Sequence, residues 1–277
     1  MDKPAGPTSH DVVAAARRAL GTRAVGHAGT LDPFATGLLI LVIGPATRMA
    51  RLIERYPKCY RAEAVIGVTT DTDDAEGKVT GGQTPESWPD QPAVEAVLEQ
   101  FRGATQQRPP AFSARRVDGR RAYRLARSGQ PVELPETPVT VYRLEVTDWN
   151  PPILTFEADV SAGTYLRALG RDIGERLGLG GHLRSLRRTA IGPHRVEQAT
   201  PLAALGPGVV PLPAVSLVPD LPRVLLTAEE RRDVGHGRPV FREPAVGEAG
   251  LMWEERLVAV GEGQGDRWHP RLVLEPL

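Results

Sequence analysis

Cysteine occurs once in this chain of 277 residues, as Cys59. A lone thiol excludes an internal disulfide and any metal site built on clustered cysteines. Lysine is scarce as well: Lys3, Lys58 and Lys78 are all there is, so arginine supplies nearly all of the 34 positive charges. Neither sign is in excess, because 34 acidic residues balance them, and net charge therefore points to no polyanionic partner. The N-terminus, MDKPAGPTSHD, has no apolar signal region, and no apolar run reaches membrane-spanning length. A soluble cytoplasmic protein is the expectation. Several catalytic signatures are also missing. There is no GxxxxGK(S/T) phosphate loop, no dinucleotide glycine fingerprint after a strand, no HExxH pair and no nucleophile elbow.

What is present is a segregated charge field. Between Arg108 and Arg127 seven arginines meet a single acid, Asp118. A second block, His182 to Arg195, carries Arg184, Arg187, Arg188 and Arg195 with no acid, while acids gather at Asp71, Asp73, Asp74 and Glu76. Such a field steers a polyanion to one face of a neutral protein. Arginine's planar fork also suits phosphate and base stacking, so Arg115, Arg116, Arg120 and Arg121 are candidate RNA contacts.

The length favours one large domain and a small one. Thr8 or Ser9 can cap a helix running to Leu20, and Tyr60 to Thr69 alternates as a half-buried strand does. DTDDAEGK after it lacks the spacing of a calcium loop and predicts a solvated turn. Val94 to Phe101 predicts a short helix, and strands are expected at Val139–Val146 and Leu154–Val160. In SAGTYLRALGRDIGERLG, Leu166, Leu169, Ile173 and Leu177 share one helical face, with Thr164 as the expected N-cap. That puts Arg167 in the first turn, where the helix dipole disfavours a cation unless a carboxylate faces it. Leu205 to Pro222 reads as a linker. Beyond it a capped helix from Thr227 and short strands near Leu251, Leu257–Val260 and Leu272–Leu274 predict a small β-rich module.

The segment Gly26 to Gly44, GHAGTLDPFATGLLILVIG, is the most informative. Gly26, Gly29 and Gly37 allow a tight loop and close approach, and the apolar run Leu38 to Ile43 predicts an interior strand. Asp32 stands between them, with two uses open to it. It can cap a helix with Pro33 at the first helical position, or sit on a rigid loop and carry chemistry. The dipeptide alone favours the cap; the remaining inventory of one placed carboxylate, aromatics and arginine-rich surface favours a cofactor-free reaction on nucleic acid.

GHAGTLDPFATGLL, KCYR with GVTTDTDDAEG, PPAFSARRVDGRRAY, SAGTYLRALGRDIG and HLRSLRRTAIGP occur in an order and spacing that resembles the TruB family, bacterial transfer-RNA pseudouridine synthases acting on uridine 55 of the T loop. The resemblance runs from Asp2 to about Thr200. It implies an α+β fold: a catalytic domain over residues 1–210, with a mixed, mainly antiparallel sheet flanked by helices and a basic RNA-binding insertion at about 105–135. A β-barrel-like PUA module is implied at 222–277. It further implies Asp32 as catalytic residue and Arg167 as its partner. Tyr60 and Tyr165 then contact the target base, His27 lies against the opened T loop, and Leu186 is an apolar contact in the uracil pocket. Lys3–Pro4 would support the active-site loop. Phe112 and Arg116 depart from the usual tyrosine and lysine. No metal or cofactor is implied. The implied partner is tRNA, held by its T arm and, through the C-terminal module, its acceptor stem, with no obligatory protein partner. Two rival readings stand beside this one: a non-catalytic RNA-folding protein, and a guide-dependent pseudouridine synthase.

Overall fold

The computed structural model describes residues 1–113, 115–117, 120–122, 134–206 and 208–275. The side chains of Arg116, Val117, Arg120 and Arg121 lie outside the described part. A mixed sheet organises the larger part of the chain. Its strands lie in the order Asp2–Lys3, Thr36–Leu38, Gly181–Ile191, Lys58–Ile66, Ile153–Val160, Thr137–Asn150 and Gly103–Gln107. Thr36–Leu38 runs parallel to Gly181–Ile191, and the other neighbours along this order are antiparallel.

Period-two patterning explains the central strand. Tyr60, Ala62, Ala64 and Ile66 are buried, while Arg61 and Glu63 point away from the core. The helix Leu166–Arg176 packs into the same core through Leu166, Leu169 and Ile173, with Leu177 at its margin. Each such side chain contributes about 1.5–3 kcal/mol when fully buried. The Gln91–Glu99 helix, capped by Asp90 and buried through Val94 and Leu98, also packs there.

The expected single strand over Leu38–Ile43 is two. Thr36–Leu38 belongs to the main sheet, whereas Ile40–Ile43 pairs with Val25–Ala28 in a separate sheet. Leu39 joins the first core, and Leu38, Ile40 and Val42 join a second. An all-apolar run permits this because every side chain finds a core on whichever face it points to. Gly37 makes the crossing possible. Its φ is +102°, and a Cβ there would lie 2.2 Å from the Arg188 carbonyl oxygen, so only glycine fits.

The short strands expected near the C-terminus are also corrected. Val240–Trp253 and Arg256–Val273 form one long antiparallel hairpin, with Arg223–Leu225 parallel to its first arm. Glycine lets the two arms pass closely: a Cβ on Gly263 would meet the Ala245 carbonyl carbon at 2.2 Å. This module has its own core, including Val234, Val240, Leu251, Val258 and Trp268. Its Met252, Leu257 and Val260 nonetheless belong to the second core with Ile40, Met49 and Ile53. No described helix is long and apolar enough to cross a membrane.

Candidate active site

Asp32 caps no helix. Residues 32–35 make a tight turn in which Ala35 N–H donates to the Asp32 carbonyl at 3.2 Å. Three buried polar side chains hold this turn and the backbone that flanks it. Lys3 is wholly buried, and its Nζ donates to the carbonyls of Pro4, Pro7 and Pro33 at 2.8, 2.8 and 3.1 Å. Ser9 Oγ donates to the Leu31 carbonyl at 3.1 Å and accepts from Leu31 N–H at 2.9 Å. Arg188 donates to the carbonyls of Gly29, Thr30 and Leu38 at 2.9, 3.3 and 2.8 Å. Burial lowers the pKa of Lys3 from its ordinary value, and the charge of Asp32 opposes that shift.

The Asp32 carboxylate faces Arg167. Nη2 donates to Oδ1 at 3.4 Å, and Nε lies 2.9 Å from Oδ2. The Nε–H is not aimed along that line, which makes the second contact an ion pair rather than a hydrogen bond. Arg167 is buried, whereas the Asp32 side chain is 36% exposed, so the acid presents itself to the cavity while the base lies behind it. Nη1 also meets Asp74 Oδ2 at 3.3 Å and donates to the Thr72 carbonyl at 2.8 Å; Nη2 donates to the Phe112 carbonyl at 2.9 Å. These acceptors offset the cost of a cation in the first turn of a helix.

The turn expected at DTDDAEGK is solvated only in part: Asp71, Ala75, Glu76 and Lys78 are exposed, but its middle is drawn inward. Asp74 is buried, its Oδ1 accepting from Thr72 Oγ1 at 2.6 Å and Glu76 N–H at 3.1 Å. Asp73 pairs with Arg171 at 2.9 Å, and burial raises its pKa above the ordinary value. Sequence reasoning missed Asp74; the available signal was its place in a clustered acid run opposite two helix arginines, 167 and 171.

Thr164 is not the N-cap. Tyr165 holds that position, and its main chain is gripped by the buried Gln107 side chain: Tyr165 N–H donates to Oε1 at 2.9 Å, and Nε2 donates to the Tyr165 carbonyl at 3.1 Å. Gln107 pairs with Thr137, so the basic insertion leaves and rejoins the sheet beside this clamp.

A cavity of about 810 Å³ joins these groups. Asp32, Tyr60, Tyr165, Arg167 and Leu186 all line it, together with Asp74 and Phe112. Tyr60 and Leu186 are buried, on neighbouring strands. His27 stands apart from this wall. Its ring meets His10, which does line the cavity, edge-on at 5.7 Å between centroids. Burial, then the charge of His10, lowers the His27 pKa, and its Nδ1 is buried without a partner among the described residues. Of the basic insertion, Arg115 is exposed, and Arg116–Val117 pairs with Arg120–Arg121 as a short hairpin.

The fold that carries this cavity matches solved structures across nearly the whole chain. One neighbour is in the crystal structure of a Cbf5-Nop10-Gar1 complex, with TM-score 0.75 and 27% identity over 99% of this chain and 84% of that one. Another is in an H/ACA RNP bound to a substrate RNA containing 2'-deoxyuridine, with TM-score 0.74 and 25% identity over 99% and 84%. Residues 17–166 match the model of the TruB family pseudouridylate synthase N-terminal domain, and residues 167–208 that of the tRNA pseudouridylate synthase B C-terminal domain. The molecule is thus an isomerase that makes pseudouridine, and the chain belongs to the TruB family.

Relatives named tRNA pseudouridine synthase B include that of Thermobifida fusca, 42% identical over 99% of this chain and 96% of that protein. Those of Mycobacterium tuberculosis H37Rv and Parasynechococcus marenigrum are 42% and 43% identical, over 100% and 99% of this chain and 95% and 96% of theirs.

Proposed function

We propose that the chain isomerises uridine 55 in the T loop of tRNA, with Asp32 as the catalytic residue. The observation that carries this reading is the Asp32–Arg167 pair on the wall of a cavity also lined by Tyr60, Tyr165 and Leu186. The target uridine leaves its stack to enter the cavity. The N1–C1′ bond then breaks with Asp32 either attacking the sugar or stabilising charge during elimination. The detached uracil turns between Tyr60, Tyr165 and Leu186, and C5 bonds to C1′. That bond displaces the Asp32 carboxylate in the first route; in the second it forms on the eliminated sugar as the sugar's lost proton returns. The C5 proton is then lost to a base, and N1 takes up a proton. Substrate and product are isomers, so the balance needs no nucleotide, metal or redox partner.

His27, set beside the cavity rather than in it, lies against the opened T loop, and the arginines at 115, 116, 120 and 121 clamp the RNA backbone. Residues 222–277 act as a PUA-like module adding contact to the acceptor stem, and residues 1–210 form the catalytic domain. The enzyme works in the cytoplasm without an obligatory protein partner. Its identity of 42% to a relative named tRNA pseudouridine synthase B, against 27% to the neighbour solved in a Cbf5-Nop10-Gar1 complex, supports this over a guide-dependent role.

The test is incubation with an unmodified tRNA transcript, followed by digestion to nucleosides. Pseudouridine should form with wild-type RNA and disappear when uridine 55 is replaced by cytidine. Tight binding without product would favour the RNA-folding reading instead.

A further inference from the structure

Among the described residues three strong cations, Lys58, Arg167 and Arg188, line the cavity, and carboxylates engage one of them. Arg167 is taken up by Asp32 and Asp74. Lys58 and Arg188 make no ion pair among the described residues and are held by main-chain carbonyls. Lys58 Nζ donates to Glu54 and Tyr56 at 2.5 and 2.7 Å; Arg188 donates to the three carbonyls of the Asp32 loop and its strand already described. Carbonyl dipoles leave the net charge in place. Donors also remain: an ammonium has three N–H groups and a guanidinium five.

Both side chains converge on Gly29, three residues before Asp32. A Cβ on that glycine would lie 3.6 Å from Arg188 Nη1 and 3.9 Å from Lys58 Cε. Arg188 is the register partner of Tyr60, two residues along the strand from Lys58. This basic wall is therefore continuous with the tyrosine and the aspartate. Burial, reinforced by Arg188, pulls the Lys58 pKa down to about 8, the response of a cation without an anionic partner. Glu54 opposes that shift from the end of the preceding helix, but it is exposed and forms no ion pair with Lys58 among the described contacts. His10, Asp32, Tyr60, Asp74, Glu76, Tyr165 and Arg167 are the other titratable groups on the cavity wall among the described residues, and none of them forms an ion pair with Lys58.

We propose that Lys58, backed by Arg188, binds a phosphodiester directly flanking the target uridine. The inference rests on the RNA reading above. It answers a need of that chemistry, because once N1–C1′ breaks the ribose must stay in register while the base turns, and a phosphate is the anion RNA brings next to every ribose.

A binding cycle tests it, using T-arm RNA in which a neutral methylphosphonate replaces the phosphate on the 5′ side, or separately the 3′ side, of the target uridine. At one of the two positions the replacement should weaken wild-type binding about tenfold. Lys58→Met should weaken binding of unmodified RNA by a similar factor, and the combination should lose no more than either change alone. Losses that multiply at both positions overturn the proposal. Wild-type turnover of unmodified RNA is measured separately, so failure of the activity is told apart from failure of the phosphate site. Should Lys58→Met not fold, the pH dependence of wild-type binding decides. Phosphate binding favours protonated Lys58, so affinity should fall as pH rises past about 8 and the methylphosphonate at the sensitive position should abolish that fall. Identical pH profiles with all three RNAs would overturn the assignment.

Discussion

Arg167 and Asp74 meet at 3.3 Å with side chains only 5% and 6% exposed, so the arginine that faces Asp32 is itself fixed from behind by a second, buried carboxylate. Breaking a buried pair leaves a charge uncompensated, at up to about 3–5 kcal/mol. Asp74→Asn should lower the unfolding free energy within that bound, because Asp32 still faces the guanidinium, and should slow single-turnover isomerisation as Arg167 loses its orientation. Asp73→Asn, which touches Arg171 and not Arg167, supplies the contrast and should leave the rate near wild type. Equal rates in the two variants would remove Asp74 from the positioning role.

Asp32→Asn should abolish pseudouridine formation while RNA binding stays within several-fold. Asparagine matches the size of aspartate but cannot act as a nucleophilic or charge-stabilising carboxylate. Nucleoside analysis after long incubation reads the chemistry and filter binding reads the affinity. Sustained multiple turnover would exclude Asp32 from catalysis.

Lys3→Met should act through the loop. Lys3 does not itself line the cavity and makes no hydrogen bond to the Asp32 side chain among the described contacts, yet its Nζ ties the carbonyl of the lining residue Pro33 to those of Pro4 and Pro7. Its loss leaves three carbonyls without their donor, at about 1–3 kcal/mol for an unsatisfied buried group. The expected signature is reduced kcat with KM nearly unchanged, and partial recovery in Lys3→Arg. A variant that loses stability but keeps full kcat would make Lys3 a purely structural strut.

The basic insertion should set the salt response. Changing Arg115, Arg116, Arg120 and Arg121 to alanine removes up to four phosphate contacts, each worth about 0.7–0.9 in the slope of log affinity against log salt. Titrations at several salt concentrations should show a flatter line. An unchanged slope would mean that these side chains face away from RNA.

The parts of the molecule legible in the sequence are those with a local cause. The alternation from Tyr60, the helical face of Leu166, Leu169 and Ile173, and the capping box at Thr227 each write their structure into neighbouring residues. A demand for a carboxylate near Arg167 was legible too, since a cation in the first helical turn needs one. What stayed hidden was set by distant partners. Asp74 looks like a surface acid until the fold lays its loop against Arg167. The Tyr165 cap depends on Gln107, 58 positions away. Leu38–Ile43 divides between sheets because two cores lie on either side of it, a fact no local period records.

Removing the module after Pro222 should damage the catalytic part, although among the described residues none beyond Arg188 lines the cavity. The reason is the second core, in which Met252, Leu257, Val260 and Leu274 pack with Ile40, Val42, Met49 and Ile53. Each large apolar side chain withdrawn from such a cluster forfeits about 1.5–3 kcal/mol, against a whole-domain stability of about 5–15 kcal/mol. Polar ties go as well, among them the Arg48 Nη1 donation to the Val273 carbonyl at 2.6 Å. The strand Ile40–Ile43 would then face water on the side that now holds the module, a few residues from the Asp32 loop. The fragment should melt well below the full chain and bind an apolar dye, and its turnover should fall for reasons of folding alone. The module's contact with RNA is therefore better probed in the intact chain at Phe241, 62% exposed, whose ring carries the Arg267 guanidinium at 4.1 Å. Phe241→Ala should raise KM and leave the saturating single-turnover rate unchanged, because an added contact far from the reacting bond acts on substrate and transition state alike. A fragment that melts with the full chain and binds no dye would show that the shared core contributes nothing to the catalytic part.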